Sequence, residues 1–150
     1  MKLDFVSEAA APEDRYACKR VELPANGRIT RPEDLVLIIR EFLCRKRQEY
    51  FLAGTLDGAG NIISIRIVTI GILNHSLVHP REVFRDAILD SCASIIVAHN
   101  HPSGSLDPSS QDIAITKQLS QAAAILGISI TDHIIIAKTG HYSFREHGLI

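Results

Sequence analysis

The sequence predicts a single mixed α/β domain, and three features carry that expectation. Segments with helical spacing alternate with segments of strand character. Two pairs of strand-like segments are joined by short turns, which breaks a pure strand–helix–strand rhythm and calls for a mixed sheet. A continuous apolar run, Ser94–Ala98, has the pattern of a central strand covered on both faces. Of 150 residues, 46% are hydrophobic and 5% aromatic, with no Trp, so Ile, Leu, Val and Ala fill the one core expected at this length.

The elements follow in order. Residues 1–29 are expected to form an N-terminal arm: 1–17 are Ala/acid-rich without a period, Lys19–Leu23 reads as a short strand before Pro24, and Asn26-Gly27 as a turn. The domain proper is expected over 30–150. Thr30 is placed to cap a helix, with Pro32 in the first turn and Glu33 completing a capping box. Leu35, Ile38, Ile39, Phe42 and Leu43 recur at helical spacing, which predicts a helix over 32–46. Tyr50–Leu56 and Ile62–Ile72 read as strands joined by the tight connection Asp57–Asn61. Pro80 opens a second helix to about Ser91, with Val83, Phe84, Ala87 and Ile88 as its inner stripe. The run Ser94–Ala98 then delivers His99 and His101 to a strand's C-terminal end. A loop rich in Pro, Ser and Gly follows, and Ser109 or Ser110 starts a third helix that Gly127 stops after Leu126. Ile128–Ala137 reads as a strand, 138–141 as a turn, and Tyr142–Arg145 as a last short strand.

Charge and cysteine usage narrow the function classes. The net charge is -1 with His neutral, so no global basic field draws phosphate backbones, which argues against a nucleic-acid partner. The run Arg45-Lys46-Arg47 reads as a solvated helix end. Cys18, Cys44 and Cys92 are odd in number and widely spaced, as free thiols of a reducing compartment are. The first twenty residues hold Asp4, Glu8, Glu13 and Asp14 and no apolar signal core, and no apolar run approaches the roughly 18 residues of a membrane span. A cytoplasmic location and no membrane partner are expected.

The chemistry concentrates at His99-Asn100-His101 and Asp112. Imidazoles at i and i+2 of an extended segment turn to one face. A carboxylate at the start of the next helix then completes a set of three ligands. Three protein ligands plus water is the layout of a catalytic zinc site, whereas a structural site fills four positions with protein. Each residue also has a plainer reading: a hydrogen-bonded loop histidine, and a first-turn acid favoured by the helix dipole. The two roles of Asp112 are compatible. A hydrolytic centre also needs a general base. Two acids compete for it: Glu49, which begins the strand after the first helix, and Glu82, in the first turn of the second. The Ser109 hydroxyl is placed to stabilise an oxyanion. His75 and His79 read as loop residues and His133 as a core residue or a hydrogen-bond partner behind the site. His141 and His147 receive no role.

His99-Asn100-His101-Pro102-Ser103-Gly104, then Pro108-Ser109, Asp112 and Thr116, together resemble the RadC family, JAB/MPN domains that carry the JAMM metalloprotease motif. Gly71 through Ser76, His79–Phe84, Asp132–Ile135, Tyr142-Ser143 and Gly148 support the resemblance, which covers roughly residues 30–150. The resemblance implies a cytidine-deaminase-like α/β fold, a mixed sheet flanked by helices. It implies zinc held by His99, His101 and Asp112, with Glu49 as the upstream Glu of the motif. Ser109 matches the serine that helps stabilise the tetrahedral intermediate. The implied activity is zinc-dependent hydrolysis of peptide or isopeptide bonds in a peptide or protein substrate. Asn100 stands where isopeptidase members usually carry Ser or Thr, which leaves the substrate class open. Full-length members carry an N-terminal helix-hairpin-helix region, for which residues 1–30 are too short. The competing readings are a non-catalytic binding or scaffold domain and a DNA-associated protein. The spacing of an HNH nuclease and the HxE and PCxxC elements of a zinc deaminase are absent.

Overall fold

The structure, a computed structural model, describes residues 27–71 and 78–150. Residues 1–26 of the expected arm, including the strand Lys19–Leu23, and His75 lie outside the described residues, while Arg28 bridges Asn61 and Ile29 is buried. The elements are α1 (Pro32–Cys44), β1 (Tyr50–Leu56), β2 (Ile62–Ile70), α2 (Pro80–Leu89), β3 (Ser94–Asn100), α3 (Ser110–Leu126), β4 (Ser129–Ala137) and β5 (Gly140–Ser143). Five strands form one sheet in the order β2-β1-β3-β4-β5. The β3–β4 pair is parallel, with α3 as its crossover, and the other pairs are antiparallel. This is the mixed α/β sheet flanked by helices that the sequence predicts. Among the described residues, no helix is long and apolar enough to cross a membrane.

Both sheet faces are covered, so the central strands are apolar on both sides. On one face α1 buries Leu35, Val36, Ile39 and Leu43 against Leu52, Ile67, Ile96 and Ile134. On the other, α2 and α3 bury Val83, Phe84, Ala87, Ile115 and Leu119 against Phe51, Ala53, Ile95 and Val97. The alternation of β3 therefore sorts its residues, with Ile96 and Ala98 toward α1 and Ile95 and Val97 toward α3.

Several boundaries differ from the sequence reading, each for a local reason. The cap of α1 is Arg31 rather than Thr30, and the acid that closes the turn is Asp34 rather than Glu33. Asp34 Oδ2 accepts from Thr30 N, Thr30 Oγ1 and Arg31 N at 2.8, 2.7 and 2.9 Å, so the Thr30 hydroxyl donates to an acid instead of accepting from the helix. Helix α1 ends at Cys44, two residues early, and β2 at Ile70. Helix α2 ends at Leu89, because Ser91 adopts φ 50°, outside helical space. β3 runs on to Asn100, held by pairing of His99 and Asn100 with Ile135 and Ile136. β5 starts at Gly140, not Tyr142, because Gly140 and His141 already pair with Ala137 and Ile136.

Ile88 is 56% exposed, not part of the inner stripe. The sheet under the end of α2 is polar there. Asp90 accepts from Thr55, Ser64 and Arg66, the last through two bonds at 2.6 and 2.8 Å. Asp86 approaches the same guanidinium at 3.7 Å. Asp86 and Asp90 are one turn apart and face the sheet, which turns Ile88 to the opposite side.

The Arg66 guanidinium beside Asp90, with hydroxyls from Thr55 and Ser64, holds the Asp90 carboxyl well below its ordinary value against the opposing effect of burial. A depressed folded pKa contributes stability above the unfolded value near 4, and that contribution disappears as pH falls through and below it. Asp90→Asn is expected to destabilise the domain by about 3 kcal/mol at pH 7, by leaving Arg66 with a weaker partner. Denaturant unfolding checks this: the gap between the two proteins should narrow progressively as pH falls from about 5 toward 2 and below.

Candidate metal centre

His99, His101 and Asp112 converge from two elements. β3 carries His99 on the face toward α3, and His101 follows just past the strand end. Asp112 enters from the first turn of α3, and the way that helix starts aims its carboxylate. Ser109 is the N-cap; its Oγ accepts from Asp112 N at 3.1 Å while Asp112 Oδ2 accepts from Ser109 N at 2.7 Å. Asp112 Oδ1 lies 3.2 Å from His99 Nε2 and Oδ2 lies 3.3 Å from His101 Nε2. The two Nε2 atoms are 2.9 Å apart. His99 and Asp112 are buried, and His101 is half-buried. Among the described residues this is the one group of three such side chains whose ligand atoms all lie within 4.8 Å of one another.

Hydrogen-bond accounting fixes which ring nitrogens carry protons. Thr116 Oγ1 donates its single hydrogen to the carbonyl of Asp112 at 2.7 Å. It therefore accepts from His133 Nδ1, 2.6 Å away. Burial holds His133 neutral, its pKa well below the ordinary value. Its Nε2 is then a lone pair that accepts from His99 Nδ1–H at 2.8 Å. His99 is left with a bare Nε2 toward the centre. His101 reaches the same state another way, since its Nδ1–H donates to the carbonyl of Ser105 at 2.9 Å.

Two imidazole lone pairs thus meet at a separation where they repel each other unless a cation lies among them. A proton on His101 is one solution, and its hydrogen bond to Asp112 raises its pKa against the effect of burial. Burial pulls the His99 pKa down. Burial pushes the Asp112 carboxyl up, but a proton on a facing imidazole, that of His101 first, together with the Ser109 amide that donates to Oδ2, outweighs it and holds the carboxyl ionised. Two neutral imidazole nitrogens and one carboxylate oxygen, each with its other polar atoms already bonded, are a donor set that fits a divalent transition metal.

Glu49 reaches the centre through sheet register. β1 pairs with β3 so that Phe51 faces His99, and continuing that register sets Glu49 opposite His101. Its carboxylate is near enough to favour the protonated forms of both His99 and His101. Asn100 holds the backbone on either side of Glu49: its Oδ1 accepts from Tyr50 N at 2.7 Å, and its Nδ2 donates to the carbonyl of Gln48 at 2.9 Å. Glu82 instead bonds Arg81 Nε at 3.3 Å and lies 3.9 Å from Arg85 on the surface of α2. His79 caps α2 by accepting from Arg81 N. His141 lies 3.8 Å from Glu33, and His147 stacks on Tyr142; neither belongs to the centre.

The sequence reading leaves His133 open between core residue and partner behind the site; it is the partner. It includes Thr116 in the motif without a role, and it misses the bracing role of Asn100. The signal for Thr116 is its place one helical turn after Asp112, where a hydroxyl reaches back to the i−4 carbonyl. For Asn100 the signal is alternation, which turns it away from the face of His99.

His133→Phe removes the acceptor of His99 Nδ1–H and frees His99 to adopt the other tautomer. Competition titration with Zn2+ is expected to show affinity about 10- to 100-fold weaker, as for other partners behind metal-binding histidines. His133→Gln, whose side-chain oxygen can accept the same hydrogen, should recover part of the loss.

With this geometry in hand, comparison with known proteins identifies the family. A match to the RadC-like JAB domain spans residues 29–149. A UPF0758 protein of Methanospirillum hungatei is 55% identical over 125 residues, covering 82% of this chain and 55% of the relative. One from Shouchella clausii is 46% identical over 120 residues, covering 80% of this chain and 52% of the relative. A third, from Clostridium perfringens, is 38% identical over 155 residues, covering 100% of this chain and 68% of the relative. The chain thus spans about half the length of the first two relatives. From the matched residues and these identities, the chain belongs to the RadC-like JAB domain family.

Proposed function

We propose that this domain is a zinc-dependent hydrolase that cleaves peptide or isopeptide bonds, with His99, His101 and Asp112 as the metal ligands. The observation that supports this most directly is the pair of bare Nε2 atoms 2.9 Å apart beside a buried carboxylate. A scaffold domain gains nothing from such an arrangement. Burying polar groups that repel one another costs stability until a cation, a proton on His101 or a metal ion, joins them. The donor set of two nitrogens and one oxygen also favours zinc over calcium or magnesium, which take oxygen ligands.

Zinc, when bound, supplies Lewis acidity and brings the pKa of a coordinated water to about 7. The chain's own residues do the rest. The Glu49 carboxylate takes a proton from the attacking water, and the water oxygen bonds to the substrate carbonyl carbon. Ser109 Oγ already accepts from Asp112 N, which leaves its hydroxyl hydrogen to donate to the developing oxyanion. The C–N bond then breaks, and Glu49 returns the proton to the departing amine. Asn100, by gripping both peptide groups around Glu49, keeps the base at a constant position through both transfers.

Metal analysis of purified protein should find about one zinc per chain, as expected for a three-ligand catalytic site. His99→Ala and His101→Ala should each lose that zinc; retention in either would end the reading. Zinc affinity should weaken as pH falls, starting above 6.5, because Asp112 holds a competing proton on His101 beyond the ordinary imidazole range. In assays over peptide and isopeptide libraries, Glu49→Gln should keep its zinc and lose about 100- to 10,000-fold in kcat, while Glu82→Gln stays at the wild-type rate. Asn100→Ala should keep zinc and lose about 10-fold or more in kcat, since it loosens the base alone. A wild-type rate in Glu49→Gln, or a lost rate in Glu82→Gln, overturns the assignment of the base.

A further inference from the structure

A groove with a cavity volume of about 700 Å³ opens beside the centre, between the end of α1 and the ends of β3 and β4. His101 and Asn100 form its inner end. Four cations line it, Arg45, Lys46, Arg47 and Lys138, and no acid does. That asymmetry is local, because the whole chain has 16 Lys and Arg against 17 Asp and Glu.

The three cations after α1 have a plainer explanation, since positive charge at a helix C-terminus complements its dipole. Lys138 does not fit that account. It comes from the turn between β4 and β5, and Arg40 pins this turn by donating to the Lys138 carbonyl at 2.7 Å. Two separate elements therefore bring positive charge to one groove that ends at a metal ligand. Arg45 is partly neutralised by Glu41 at 2.6 Å, and the Lys46 ammonium sits 4.3 Å from the centre of the Phe42 ring. Arg47 and Lys138 have exposed side chains, and among the described residues neither forms an ion pair with an acid.

We propose that this groove binds an acidic stretch of a peptide substrate, rich in Asp or Glu, on one side of the bond to be cleaved. The inference rests on the reading of the centre as a peptide hydrolase and names the substrate class for it. A peptide suits the groove better than nucleic acid does. A specific duplex interface buries about 1,000 Å² or more of protein surface with many phosphate contacts, beyond what four cations in one short groove supply. Single strands bind through exposed aromatic platforms, whereas the rings nearest the groove, Phe42 and Tyr50, already carry Lys46.

The test is a binding measurement that needs no turnover. Zinc-loaded Glu49→Gln protein is titrated against fluorescent ten-residue peptides that differ only in carrying four Glu, four Gln or four Lys, and against a labelled single-stranded oligonucleotide. The Glu peptide should bind about 10-fold or more tighter than the Gln peptide, and the gap should shrink as salt rises from about 0.05 to 0.3 M. Arg47→Glu combined with Lys138→Glu should abolish the preference while zinc content and the unfolding midpoint stay unchanged. Equal binding of Glu and Gln peptides, no change on charge reversal, or tighter binding of the oligonucleotide would each overturn the proposal. If the Glu peptide binds as stated but the wild-type protein cleaves nothing, the hydrolase reading fails and the groove assignment stands.

Discussion

Everything at the functional end of this molecule depends on one electrostatic constraint, the bare Nε2 atoms of His99 and His101 held 2.9 Å apart. Left to themselves, two imidazoles at that distance rotate, or one takes the other tautomer and donates to its neighbour. Here both escapes are closed. His99 is buried between β1 and α3, stacks near Phe51 and is tied through Nδ1 to His133. His101 is tied through Nδ1 to a backbone carbonyl that can only accept. Both lone pairs are thus kept aimed at one place, where a cation, a proton on His101 or a metal ion, relieves their repulsion. The carboxylate of Asp112 makes the same point with the opposite sign, since it is buried and ionised with only the two rings and the Ser109 amide around it. A buried set of this kind is stable when a cation joins it.

The fold supplies the rigidity that this constraint needs. β3 is a central strand, with β1 on one side and β4 on the other, so neither backbone edge of the segment carrying His99 is left without a partner strand. Asp112 is one reciprocal cap away from the loop that follows. The relay from the Asp112 carbonyl through Thr116 and His133 to His99 closes a loop between α3, β4 and β3. A shift of α3 would therefore disturb the orientation of His99 as well as the position of Asp112. His99, His101, Asp112 and their supports are one connected unit rather than three side chains that happen to meet.

How much of this was legible in the sequence depended on the range of the interaction. The apolar periodicity of α1 and the run in β3 are local signals, and both elements formed there, each with its C-terminal end shifted by two residues. The two histidines share a face because strand alternation is also local. The capping of α1 was misread because the Thr30 hydroxyl can donate or accept and either Glu33 or Asp34 can accept from it, and sequence spacing does not decide among them. Ile88 was misread because its face depends on Arg66, a residue on a strand formed earlier in the chain. Arg45-Lys46-Arg47 carried no sign of a groove, since the other cation comes from Lys138, some ninety residues later. The preference of Glu49 over Glu82 came from the family resemblance; the independent reason, register between β1 and β3, was invisible without the pairing.

That register has a consequence for how the centre is built. Fifty residues separate Glu49 from His99, yet the distance between them in space is set by one antiparallel pairing, and a slip of one residue would send Glu49 to the other face of the sheet. Asn100 guards against the slip at the point where it matters. Its amide makes two side-chain bonds to the peptide groups that flank Glu49. Because Asn100 lies between the two histidines, any movement of the strand end carries the histidines and Glu49 together. A residue with a shorter side chain and one hydroxyl, such as Ser or Thr, offers fewer bonds than an amide and cannot span both peptide groups in this way. The position between the histidines is therefore a brace between β3 and the segment that carries Glu49. It holds the acid at the same end of the sheet where the basic groove meets His101.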